Sequence, residues 1–101
     1  MNSKTFAERL REDRRLVMLR LLAEAAGYRH NSSVLHAGLD HLGVQGSRDD
    51  VLTDLHWLKD QGLVRLTEAV PGVLVAELTG RGEDVAKGQA IVPGVSRPSA
   101  R

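Results

Sequence analysis

The chain has 101 residues, a net charge of +1 and no cysteine. That length holds one domain with one core, and the missing thiols exclude a disulfide framework, a zinc ribbon and thiol catalysis. A balance so near neutrality gives little support to wholesale binding of a polyanion, so the placement of charge matters more than its sum.

Residues 4–20 carry six Lys/Arg against three acids, and residues 89–101 add Arg97 and Arg101. Residues 48–60 carry four Asp against only Arg48 and Lys59. Positive charge therefore gathers at the chain ends. No apolar run is long enough to span a membrane, and "MNSKTFAERLREDRR" lacks the apolar region of a signal peptide. A cytoplasmic protein without membrane contact is expected.

The first helix is expected from about Lys4 to Ala26, with Phe6, Leu10, Val17 and Leu21 on one face. Near residue 16 the apolar stripe widens until Leu16, Val17, Met18, Leu19, Leu21, Leu22 and Ala23 cover most of the circumference. One small core covers only about a third of a helix. Either other elements of the chain wrap this region or a second copy does. We favour a homodimer seam through Leu16, Met18, Leu19 and Leu22. Arg9, Arg11, Arg14 and Arg15 read as a solvated face paired with Glu8, Glu12 and Asp13 at helical spacing.

"AGYRHNSS" ends this helix at Gly27 and offers Asn31, Ser32 or Ser33 as the next cap. A second helix should run from about Ser33 to Leu42 with Leu35, Leu39 and Leu42 buried. The turn "GVQGS" leads to a third helix, capped by Ser47 with Asp50 as its capping-box partner. Val51, Leu55 and Leu58 form its core stripe, flanked by Leu52, and Gly62 ends it. From Leu63 the period becomes two. Val64 and Leu66 share one side, as do Leu74, Ala76 and Leu78, joined by "VPGV", whose Pro71 and Gly72 suit a type II turn. Thr79 can cap a short last helix around Glu83–Lys87. The order is helix, helix, helix, hairpin, short helix. The expected fold is mainly α with a small β-hairpin wing, a winged helix-turn-helix over residues 1–88, followed by an extended C-terminal arm over 89–101, ordered only against a partner.

The run "LHWLKDQGLV" followed by "ELTGRGEDVAKG" resembles the recognition-helix end, wing and closing helix of the winged-helix superfamily that includes MarR- and ArsR-type repressors. The residues that carry the likeness are Leu55, Leu58, Gly62, Leu63 and Val64, then Leu78, Thr79 and Gly82. With "VPGVSRP" after "DVAKG", the chain is also similar to small winged-helix proteins encoded in Mu-like phages and prophages. The resemblance implies a DNA-binding transcriptional regulator of phage or prophage origin, with double-stranded DNA as partner. The cysteines of thiolate metal sensors are absent.

The third helix argues partly against that reading. Its outward face is expected to hold Asp49, Thr53, His56, Trp57 and Asp60, with Asp50 at the edge and no Lys or Arg. Duplex DNA rewards neutralised phosphates. The candidate DNA contacts are Arg48, Thr53, Trp57, Arg65 and Arg81. Trp57 reads equally well as a half-buried packing residue or as an interaction anchor. The second reading is accordingly a protein-interaction module that uses the acidic, Trp-bearing face. No catalytic constellation appears, and His30, His36, His41 and His56 form no i, i+4 pair. No enzyme activity, cofactor or metal is expected.

Overall fold

In a computed structural model, residues 3–99 are described. Helix α1 spans Phe6–Glu24. The Thr5 hydroxyl accepts from the Glu8 backbone N–H, and the Glu8 carboxylate accepts from the Thr5 N–H. This capping box fixes the start of the helix two residues later than the sequence suggested. The Glu8 carboxyl is held below its ordinary pKa chiefly by that backbone hydrogen bond.

A 3-10 turn over Ala26–Tyr28 follows, with Gly27 and Tyr28 both at positive φ. The chain then enters β1, Arg29–Asn31, which the sequence pattern concealed. Helix α2 spans Ser32–His41, and its cap is Asn31, whose side chain accepts from Val34 N–H at 2.8 Å. Ser32 has another role: its hydroxyl accepts from Leu74 N–H at 3.1 Å and ties α2 to the sheet. Leu35 and Leu39 are fully buried, but Leu42 is 55% exposed. It was expected inside; the helix stops at His41, so Leu42 falls at the cap and leaves the buried stripe.

Helix α3, Arg48–Asp60, begins in the anticipated capping box of Ser47 and Asp50. Strands β2, Val64–Val70, and β3, Val73–Leu78, pair antiparallel with Leu66 opposite Ala76. Gly72 has φ +82°, the positive value that a type II turn requires at that position. Strand β1 pairs with the other edge of β3, giving the order β1-β3-β2. Leu74, Ala76 and Leu78 alternate inward from the central strand.

Helix α4 spans Gly80–Ala86. The Thr79 hydroxyl accepts from Gly82 N–H and donates to the Gly62 carbonyl at 2.8 Å. A Cβ at Gly82 would collide with the Leu63 carbonyl, so the Thr-x-x-Gly spacing has a steric cause. The described residues form four α-helices and a three-stranded antiparallel sheet around one core.

Two expectations about α1 are corrected. Leu16, Met18, Leu19 and Leu22, proposed for a seam between copies, are buried within this chain's own core at 6% exposure or less. The core covers that side of α1 because α4, α2 and β3 all pack on it. The segment after Gly88 is not held aloof for a partner. Val92 and Val95 are buried, Ser96 N–H donates to the Glu12 carbonyl, and the Ser96 hydroxyl bonds the Asp13 carboxylate. The tail returns along α1. Among the described residues no helix is long and apolar enough to cross a membrane.

Candidate nucleic-acid interface

The acidity of α3 divides into two populations. Asp54 lies three residues after Val51 and one before Leu55, inside the apolar sector of the wheel. It is 1% exposed. Its two carboxylate oxygens accept from Arg14 Nε at 2.6 Å and Arg15 Nε at 3.1 Å. Arg14 also donates to the Gln45 carbonyl and Arg15 to the Gly94 carbonyl. A buried charge is tolerated only when paired and hydrogen-bonded, and no buried side-chain polar atom among the described residues lacks a partner. Arg14 and Arg15 are therefore internal clamps, not the solvated face the sequence suggested. Glu8, Glu12 and Asp13 are engaged elsewhere, with Thr5, Lys4 and Ser96.

Asp50 is committed to the start of α3. Its carboxylate accepts from Ser47 N–H at 2.9 Å. That hydrogen bond is the main cause of a pKa below the ordinary aspartate value, and the charges of Arg14 and Arg11 act in the same direction. Its position also suits the positive end of the helix dipole.

The outward face is what remains. Thr53, His56, Asp49 and Asp60 are exposed along its centre. Helical spacing puts Arg48, Leu52 and Lys59 on one flank and Trp57 on the other. On the first flank, Arg48 Nη1 lies 3.4 Å from the Ser33 hydroxyl near the start of α2. A small cleft of about 30 Å³ joins Arg48, Ser33, Leu52 and Gly72 of the hairpin turn. This flank links α3, α2 and the hairpin.

The second flank is closed. The Arg15 guanidinium sits 3.9 Å from the centroid of the Trp57 ring. Gly94 of the tail lies against the indole's other atoms so tightly that a Cβ there would be 2.5 Å from the ring. Trp57 is half-buried, packed on the core's edge. It stands on the flank of the open face and not at its centre.

The remaining candidates are dispersed. Arg65 is exposed on β2 and shares a cross-strand row with Glu77 of β3 and Arg29 of β1. Arg81 is exposed in the first turn of α4. The hairpin turn carries no cation, and its Glu68 carboxylate accepts from Gly72 N–H. Arg29 was missed because β1 was not anticipated. Lys59 was visible in the sequence but not placed beside Arg48. Among the described residues no group of three or more His, Asp or Glu is arranged to hold a metal ion.

The sequence has relatives. Over 92 residues the chain is 47% identical to a protein named "Uncharacterized protein gp26" of Escherichia phage Mu, covering 91% of this chain and 94% of that one. It is 46% identical over 77 residues to an uncharacterized protein of Haemophilus influenzae, covering 76% of this chain and 74% of that one. The chain belongs to the family of phage Mu gp26. No family model matches it, and no solved structure does.

Proposed function

We propose that this phage-related protein is a winged helix-turn-helix that binds double-stranded DNA through the outward face of α3, as a transcriptional regulator. The observation that carries the reading is the withdrawal of Asp54 into the Arg14–Arg15 clamp. With Asp54 inside and Asp50 bound to Ser47, the exposed strip keeps Asp49 and Asp60 against Arg48 and Lys59. A helix of that character fits a major groove about 12 Å wide. Thr53 and His56 supply hydrogen-bonding groups along the strip, and Arg48, Arg65 and Arg81 supply the phosphate contacts. In this reading β2 and β3 form the wing.

So few cations give modest affinity and a shallow salt dependence, each phosphate contact contributing a slope of about 0.9 in log K against log salt. Fluorescence anisotropy with random duplex DNA over a salt series tests this. The expected outcome is binding at low salt, with Arg48→Ala lowering the slope by about one unit. A correctly folded protein that binds no duplex at low salt overturns the reading. Asp49 and Asp60 at the centre of the strip then favour the second reading, a protein-interaction module on the same face.

A further inference from the structure

The stripe of Phe6, Leu10, Val17 and Leu21, which shares one face of α1, runs from the exposed start of the helix to the edge of the core, where Val17 and Leu21 pack. Phe6 is 79% exposed, and Leu10, Val17 and Leu21 are only partly covered. Residues 3–9 are all exposed, although the tail runs beside Lys4 and Arg9 on another side of the helix. The molecule is long, at 44 × 26 × 25 Å. An aromatic side chain on an exposed helix end is an apolar feature that the monomer's own packing does not explain.

At the other end of the stripe is a groove of about 370 Å³ between α1, the end of α2 and the end of α4. Val17, Leu21, Leu42 and Ala86 provide its apolar lining. A closed apolar cavity of ~150 Å³ already admits a benzene ring. The groove therefore has room for an aromatic side chain.

The stripe also reads the same in both directions. Its spacings are four, seven and four residues, so a second α1 laid antiparallel sets Phe6 opposite Leu21 and Leu10 opposite Val17, twice over. We propose that two copies of this chain pair through this outer stripe, each inserting Phe6 into the groove beside Val17 and Leu21 of the other. The interface is isologous, as two-fold pairing requires. Its length is about 22 Å at ~1.5 Å per residue, a short seam that suits an interface at the low end of the specific range. Charge is compatible with it. A net charge of +1 leaves little repulsion between copies. The groove rim carries both signs, Glu24 beside Arg20 and Lys87.

Sedimentation velocity over a concentration series tests the pairing. Wild type is expected to shift from monomer to dimer at micromolar concentration. Phe6→Glu should remain monomeric at least tenfold higher, with an unchanged melting curve because Phe6 packs on nothing in the monomer. The chain has no native cysteine, so orientation can be read by cross-linking. Mixed Phe6→Cys and Leu21→Cys chains should give mainly the heterodisulfide. A wild type that stays monomeric at hundreds of micromolar overturns the proposal, as does a dimer indifferent to Phe6→Glu. Predominant Phe6→Cys homodisulfide overturns the antiparallel arrangement.

Discussion

The two sides of α3 use the same residue type to opposite ends. On the inner side Asp54 is a structural charge, dry and held by two guanidinium groups from α1. On the outer side Asp49 and Asp60 are exposed and face whatever approaches. A count of aspartates along α3 treats them alike and makes the helix acidic. A ligand meets only the outer side, where Arg48 and Lys59 offset them. Charges must be sorted by position on the wheel before they are summed.

That contrast can be broken from the inside first. Asp54→Ala leaves two buried guanidinium groups without their carboxylate, which should cost about 3–5 kcal/mol, as for a buried pair that loses one partner. Urea unfolding followed by circular dichroism measures it. A cost below about 1 kcal/mol would mean that water reaches the clamp.

Trp57→Ala should cost roughly 2 kcal/mol, less than the ~3–5 kcal/mol of a fully buried Trp. It removes the surface on which Arg15 and Gly94 pack. A cost within about 0.5 kcal/mol, as for a surface site, would mean that these contacts contribute little. The same unfolding assay decides between them, with Gly94→Ala as a companion. At φ +101° and against the indole, a methyl at Gly94 should loosen the tail.

On the outer side the effects on stability should be small. Arg48→Ala should change unfolding by no more than about 0.5 kcal/mol while weakening DNA binding. Ser47→Ala removes the cap of α3 and should cost about 1 kcal/mol.

The smallest effect is a pH dependence. Asp50 has a lowered pKa in the folded chain, so its contribution is present above the unfolded-state value and fades as pH falls through the folded one. Asp50→Asn should flatten the acid limb of the stability profile below about pH 4 and leave the neutral region nearly parallel to wild type. An unchanged acid limb would remove Asp50 from the account.

Much of the fold was legible because its signals are local. Ser47 with Asp50, Thr79 with Gly82, and Pro71 with Gly72 each lie within a few residues of their partners. Leu35, Leu39, Val51, Leu55 and Leu58 repeat at helical spacing. What stayed hidden depends on distant partners. Strand β1 is three residues long and exists only because β3 lends it an edge. α1 is apolar on both sides, and periodicity cannot say which side the other elements will cover. Leu16, Met18, Leu19 and Leu22 therefore read as a seam between copies. For the candidate site, Arg48 and Thr53 were readable as exposed positions of a capped helix. The clamp of Asp54 with Arg14 and Arg15 was half-visible, since Asp54 falls between Val51 and Leu58 on the buried side. Its partners came from another helix and carried no local mark. Trp57 was undecided between two roles until the tail was seen to close over it.

The central claim, that the outer side of α3 docks on duplex DNA, is tested most directly at Thr53. This residue is exposed at the middle of the strip and takes no part in the clamp, the cap or the tail. Thr53→Glu adds length and negative charge where the groove floor and phosphates would lie. Anisotropy titration with duplex DNA at low salt, beside urea unfolding of the same variant, should show affinity reduced at least tenfold with stability within about 0.5 kcal/mol of wild type. Affinity unchanged in Thr53→Glu, with wild type binding DNA, would place the contact on another surface and contradict the claim.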